Sequence, residues 1–274
     1  MSRQRAENLP RRKAAARPPE GPEPTMTTTY RMLLAYDGAP FHGFARQPGL
    51  PTVQSAVEAA LGKIFGSEVL TSGAGRTDAG VHALGQVMSF TTESHRDPED
   101  LMRRLNSMCG PVIAVTSAAV APAGFDARFS AEARTYEYGI FNRGVHDPFC
   151  RHTTWHYPEP LDPALMEKAA QALVGEHSFE SFGRVEEGKS AVRRIESIDV
   201  QQEGDLVSIA VTANSFLQQM VRSIVGTLVQ VGNGRIPPEH MDSILEARSR
   251  SAAGPVAPPH GLFLVSVSYP EELA

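Results

Sequence analysis

Residues 73–83 read Gly73-Ala74-Gly75-Arg76-Thr77-Asp78-Ala79-Gly80-Val81-His82-Ala83, and they place one carboxylate two residues after an arginine and among three glycines. Glycine belongs where a backbone takes unusual angles or must let a ligand come close. A carboxylate beside a fixed cation is kept ionised, because the opposite charge favours the charged form. Asp78 in such a loop is therefore a candidate nucleophile or base at neutral pH. A structural turn with a surface Arg–Asp pair is the plainer reading, and the flanking sequence decides between the two. A strand near Val69 leads into the loop and Gln86-Val87-Met88-Ser89-Phe90 continues as a strand on the other side.

Working outward, Tyr30 to Tyr36 reads as a strand that ends at the turn residues Asp37-Gly38. Thr52 is a helix N-cap, followed by Val53, Val57, Leu61, Ile64 and Phe65 on one stripe. Pro98 to Met108 is a short helix and Val112 to Val120 a strand. Arg134 to Ile140 alternates like a strand, with Tyr136 and Tyr138 on one face. Asp162-Pro163 starts a helix that runs to Gly175, with Asp as N-cap and Pro at the first position. Strands follow at Ile195–Val200 and Leu206–Thr212. Asn214 is expected to cap a long apolar helix to about Val231, closed by Gly232-Asn233-Gly234. Pro237 opens a helix to about Arg248, and Leu262 to Tyr269 is the final strand. Strands and helices alternate in two similar halves, which predicts an α+β chain of two lobes, residues 28–132 and 133–274.

The 274 residues are 41% hydrophobic and 21% charged, ordinary for a globular chain. No apolar run approaches the roughly 20 residues of a membrane span. Cys109 and Cys150 have no CxxC spacing, which argues against a disulfide framework or zinc ribbon and fits a reducing cytoplasm. Residues 1–27, rich in Arg, Pro, Ala and Glu, read as a disordered tail, with Met26 a second candidate start. Net charge is −5, and the first 25 residues hold six Lys and Arg against three Glu. The remainder keeps 20 Lys and Arg against 28 Asp and Glu. Bulk charge thus gives no support to nucleic-acid binding, which would need the basic residues gathered on one face.

Several constellations point to such a face. The helix after Phe216 holds one charged residue, Arg222, costly to bury without a carboxylate. Asp78 is the candidate partner. Tyr136 follows Arg134 and the run Phe125-Asp126-Ala127-Arg128-Phe129. Arginines such as Arg128 and Arg134 interleaved with aromatics suit phosphates and unstacked bases. Gly183-Arg184-Val185-Glu186-Glu187-Gly188-Lys189-Ser190 matches the Walker A pattern letter for letter. That motif needs a buried strand before it and a helix starting at its Lys, whereas Val192 to Ile195 reads as extended. Gly73-x-Gly75 lacks the third glycine of a dinucleotide fingerprint. His152 and His156 have helical ligand spacing in a segment that reads as strand. No nucleotide cofactor or metal is expected from these.

Taken in order, the motifs resemble the tRNA pseudouridine synthase A family. They are Tyr36-Asp37-Gly38 with Gly43; Thr52-Val53-Gln54; the run from Gly75 to Ala83; Ala127-Arg128-Phe129 with Arg134-Thr135-Tyr136; His177-Ser178-Phe179 to Phe182; Phe216-Leu217 with Met220-Val221-Arg222 and Gly226; and Gly261-Leu262-Phe263-Leu264. The resemblance covers nearly everything from residue 30 to 269. It implies an isomerase that detaches uracil from C1′ of a uridine, rotates it and rejoins it through C5, at positions 38, 39 and 40 of the tRNA anticodon arm. The target base would be flipped from its stack. No cofactor or metal is used in that family, and its members are cytoplasmic homodimers with no membrane association.

By the same resemblance Asp78 is the catalytic aspartate, which attacks C1′ or takes a ribose proton. Arg76 holds the flipped-out site open or grips a phosphate. Arg222 pairs with Asp78, Tyr136 stacks on the target base and takes part in proton transfer at C5, and Leu262 packs against that base. The implied fold has two α+β lobes, a largely antiparallel sheet with helices packed on it, and a cleft between the lobes. Two departures stand out. Phe44 occupies a position where the family commonly has Trp, which is expected to be a packing change. Arg194 occupies one where threonine is usual, which bears on local RNA contacts.

Overall fold

The computed structural model describes residues 27–273. The expected tail therefore lies outside the described residues apart from Thr27, as does Met26. The elements, in chain order, are β1 (Thr28–Tyr36), α1 (Val53–Phe65), β2 (Ser72–Gly73), β3 (His82–Thr92), α2 (Pro98–Cys109), β4 (Ile113–Val120), β5 (Ala133–Phe141), β6 (Trp155–His156), α3 (Pro163–Gln171), β7 (Gly175–Ser178), β8 (Val192–Glu203), β9 (Leu206–Ala213), α4 (Met220–Gly232), α5 (Met241–Glu246) and β10 (Leu262–Ser268). This is an α+β fold built on one ten-stranded sheet, in the order β4-β1-β3-β10-β5-β9-β8-β7, with β2 beside β3 and β6 beside β5. Pairing is antiparallel except between β10 and β3 and between β5 and β6.

Local chemistry sets the helix starts. Thr52 accepts from the Ser55 amide while the Ser55 hydroxyl accepts from the Thr52 amide, a reciprocal cap. Asp97 and Asp162 cap α2 and α3, each followed by proline in the first turn. The buried stripe of α1 meets Tyr30, Met32, Leu34 and Tyr36 of β1, and the same core takes in Tyr136, Tyr138 and Ile140 of β5. Successive strand residues point to opposite faces, so Leu33 of β1 and Val87 of β3 meet a second, smaller cluster with Phe125, Ala127 and Tyr269.

Four boundaries differ from the sequence reading. The strand before the Asp78 loop is Ser72–Gly73 rather than one near Val69. Helix α3 stops at Gln171, and Gly175 (φ +107) opens β7. Helix α4 starts at Met220, not after Asn214, because the Asn214 side chain accepts from the Arg194 amide and so caps nothing. The segment after Pro237 is a 3-10 turn, Pro238–His240, running into the short α5.

Strand β10 lies between β3, which it meets in parallel, and β5, which it meets antiparallel. It therefore joins β4-β1-β3 to β5-β9-β8-β7. Opposite this joint, α4 packs so closely on the 254–257 segment that a Cβ at Gly226 would stand 1.7 Å from the Pro255 carbonyl oxygen. Among the described residues no helix is long and apolar enough to cross a membrane.

Gly226→Ala is expected to destabilise the protein by about 3 kcal/mol through overpacking against backbone. Gly144→Ala, where a Cβ meets nothing within 4 Å, is expected to be near neutral. Denaturant unfolding of the two variants beside the parent checks both.

Candidate active site

The Asp78 loop spans the gap between β2 and β3, and it is clamped from three sides. Gln86, fully buried on β3, donates to the Gly75 carbonyl at 2.7 Å and accepts from the Gly75 amide at 3.2 Å. The Tyr36 and Thr77 hydroxyls share a hydrogen bond of 2.8 Å. The Phe44 amide donates to the Thr77 carbonyl at 3.1 Å. Gly43, at φ +95, lies so close that a Cβ there would stand 2.9 Å from the Thr77 carbonyl oxygen. Past the loop, His82 accepts from the Gly38 amide at Nδ1, presents Nε2 to the His152 carbonyl, and stacks on Phe263.

Asp78 emerges from this clamp to meet Arg222, 144 residues further on, with Nη1 to Oδ2 at 3.0 Å. Both side chains are mostly buried, with 12% and 20% exposure for Arg222 and Asp78. Arg222 is held in turn by the Ala257 carbonyl, which accepts from Nε at 2.7 Å. The residue before α4, Gln219, sits at φ +64, a conformation uncommon outside glycine. No side chain caps the helix there. The first turn of α4 opens on the same cavity as Asp78.

That cavity has a volume of about 730 Å³, and Asp78, Arg222, Tyr136, Leu262, Phe44 and Phe216 are among its lining residues. Tyr136 is buried and stands edge-on to Phe216, ring centroids 5.1 Å apart. Burial pushes the Tyr136 phenol well above its ordinary range, and the nearby Tyr36 and Asp78 act in the same direction. Burial also drives Tyr36 up to about 12, against the pull of its Thr77 hydrogen bond. Both rings are therefore neutral phenols at physiological pH.

The chain is acidic, yet the cavity is not. Its lining holds Arg76, Arg128, Arg134, Arg184, Lys189, Arg193 and Arg222 against only Asp78 and Glu186. The cavity is thus locally basic in a chain of net negative charge, the local pattern that RNA binding would use. Arg76 is exposed and makes no ion pair among the described residues. Arg184, Lys189 and Arg193 were not singled out by the sequence reading. Arg184 and Lys189 belong to the Walker-like run and Arg193 follows it in the extended segment, and all three line the cavity although the motif itself is not a P-loop. It is followed by strand β8, and Lys189 pairs with Glu186. Gln86 was also missed, although an amide on the inward face of a strand is a cue to a buried clamp.

Arg134, expected from the sequence to contact substrate, is held by backbone on every side. All five Arg134 donors are engaged by backbone carbonyls: Nε and Nη2 by Ala74, Nη2 also by Arg128, and Nη1 by Ala131 and Asn214. No donor is left to grip a phosphate, so Arg134 positions the cavity wall. Arg194 stays outside the cavity, exposed and 3.6 Å from Glu196. Phe44 is buried, its ring filling the space in front of Gly73. His156 lies on β6, with Nε2 on the Arg143 carbonyl. Among the described residues no three His, Cys, Asp or Glu side chains converge as a metal site.

A family model for tRNA pseudouridine synthase matches residues 32–130 and 169–270, well over half the chain. The chain belongs to the tRNA pseudouridine synthase family. Both sides of the ion pair fall in the matched spans, whereas Arg134 and Tyr136 lie in the stretch between them. The tRNA pseudouridine synthase A of Afipia carboxidovorans is 46% identical over 242 residues, covering 88% of this chain and 99% of the relative. That of Agrobacterium fabrum is 43% identical over 246 residues, covering 88% and 92%. That of Methylacidiphilum infernorum is 42% identical over 245 residues, covering 89% and 96%. The enzyme is an isomerase that forms pseudouridine in tRNA.

Arg134→Lys replaces a planar fork by a point donor, and is expected to lower stability by about 2 kcal/mol, read by denaturant unfolding. The tyrosines predict alkaline sensitivity. Tyr36, Tyr136, Tyr138 and Tyr269 all keep their protons above the ordinary value of 10.0 when folded. Above that pH the folded state binds more protons than the unfolded one, so stability is full below pH 10 and falls as pH rises further. The slope is about 1.4 kcal/mol per pH unit for each such tyrosine. Unfolding free energies measured between pH 9 and 12 are expected to show this fall, with Tyr36→Phe reducing it.

Proposed function

We propose that the enzyme acts on uridines at positions 38, 39 and 40 of the tRNA anticodon arm, with Asp78 as the group that opens the reaction. The observation that carries this reading is the Asp78–Arg222 pair, 3.0 Å long, in a cavity whose lining holds far more cations than anions. Arg222 holds one carboxylate oxygen and thereby aims the other at the bound nucleotide. The anticodon-arm positions rest on the motif resemblance and on relatives bearing the tRNA pseudouridine synthase A name.

The chemistry breaks the N1–C1′ bond and makes a C5–C1′ bond. The hydrogen at C5 leaves as a proton, and N1 of the product gains one. Asp78 acts at the ribose, attacking C1′ or taking a ribose proton. Tyr136, neutral in its surroundings, offers a ring face to the flipped base and a hydroxyl that takes part in proton transfer at C5. Leu262 closes the apolar side of the pocket. Arg76, exposed at the mouth, takes a phosphate or occupies the place vacated by the base, and Arg128 takes a neighbouring phosphate. Extrusion costs a few kcal/mol, which the pocket contacts offset. We read the enzyme as a cytoplasmic homodimer by the same resemblance, with residues 28–132 and 133–274 as its two lobes and the cavity between them. Its two described cysteines are both free.

The test is tritium release from tRNA labelled at C5 of uridine. Asp78→Asn is expected to lose on the order of 10⁴-fold or more in rate while still binding tRNA. Arg222→Ala is expected to lose on the order of 10²-fold, since a preorganised charge has been removed from the reacting group. An Asp78→Asn enzyme with normal release would end the proposal.

A further inference from the structure

The loop from Phe125 to Ala131 is fixed at nearly every point, yet it carries an aromatic ring in open water. Phe125 is buried in the smaller core cluster. Asp126 Oδ1 accepts from the amides of Arg128 and Phe129, at 2.8 and 2.9 Å, and from the Ser72 hydroxyl at 3.1 Å. The Ser130 hydroxyl accepts from the Asp126 amide. Ser89 accepts from the Ala127 amide, and the Tyr269 hydroxyl donates to the Ala127 carbonyl. The Arg134 fork holds the carbonyls of Arg128 and Ala131. Nothing in this network uses the Phe129 side chain, which is 82% exposed.

An aromatic ring presented by a rigid loop is preorganised for a flat partner, since little conformational entropy is lost on contact. Its neighbours indicate which kind. The Arg128 guanidinium lies 5.4 Å from the Phe129 ring centroid and also lines the Asp78 cavity. A ring beside a cation that itself lines a basic cavity matches a nucleobase with its phosphate better than an apolar protein surface.

We propose that Phe129 is a stacking platform for an RNA base next to the uridine that enters the cavity, and thus a positioning residue for the known reaction. The inference rests on the reading that tRNA enters at Asp78. The flipped uridine leaves a gap in the RNA stack, and the adjacent base loses a stacking partner. Phe129 supplies a replacement face outside the cavity, while Arg128 neutralises the phosphate between the two nucleotides. Every base has a π face, so the contact tolerates sequence, which suits an enzyme that must accept different tRNAs.

The test compares Phe129→Ala, Phe129→Leu and Phe129→Trp with the parent and with Asp78→Asn. Tritium release and tRNA binding are measured for each. Phe129→Ala is expected to raise KM and Kd about ten- to a hundredfold, with kcat within about twofold and an unchanged unfolding midpoint. Phe129→Trp is expected to bind like the parent, and Phe129→Leu, apolar without a π face, like the alanine variant. Transcripts carrying 2-aminopurine on either side of the target uridine are expected to be quenched at one of the two positions by the parent and not by Phe129→Ala. Rescue by leucine equal to that by tryptophan would overturn stacking. A change in sedimentation on Phe129→Ala, with KM intact, would assign the ring to a protein contact instead. Unchanged KM in Phe129→Ala beside an inactive Asp78→Asn would overturn the platform alone. A fully active Asp78→Asn would overturn the site reading and the platform with it.

Discussion

The ion pair between Asp78 and Arg222 is the constraint around which this molecule is arranged. Two mostly buried charges are stable only as partners, because each alone would face the full cost of leaving water. One comes from a glycine-rich loop and the other from the first turn of an apolar helix far along the chain. Holding them at 3.0 Å demands that both carriers be rigid. Gln86, Tyr36 and Phe44 serve the loop, and the Ala257 carbonyl and close packing at Gly226 serve the helix. The strained backbone at Gln219 is part of the same fit, since it turns the chain into α4 where Arg222 must point.

Electrostatics on a larger scale follows the same logic. A chain of net charge −5 binds an anionic polymer only if its cations converge, and here they do so around one cavity. Within the cavity the tyrosines stay neutral, so the negative charge that a nucleotide meets there is confined to Asp78 and Glu186.

Much of this was readable from the residues because the signals were local. Thr52, Asp97 and the Asp162-Pro163 pair announce their helices within four residues. Arg222 announced a partner because a lone charge in an apolar helix needs one, and Asp78 is where it lies. Misreadings arose where a long-range contact outweighed a local preference. Asn214 has the chemistry of a helix cap, but its side chain serves the Arg194 amide across the sheet, and α4 starts six residues later. Arg134, in a strand rich in tyrosine, has every donor taken by the carbonyls of Ala74, Arg128, Ala131 and Asn214, contacts that no local pattern announces. The Walker-like run leads into strand β8 rather than a helix. Its arginine and lysine were not singled out, because only the fold shows that they face Asp78.

The position of β10 has a consequence for how the enzyme comes into being. Synthesis runs from β1 toward β10, so the joint of the sheet is made after every other strand. The β8–β9 hairpin closes a short loop, whereas the parallel pairing of Phe263 with His82 closes a very long one. A chain still lacking β10 already carries the aspartate and the arginine but not the strand that joins the two sides of the sheet. Completion of the sheet therefore falls to the most C-terminal of the described strands.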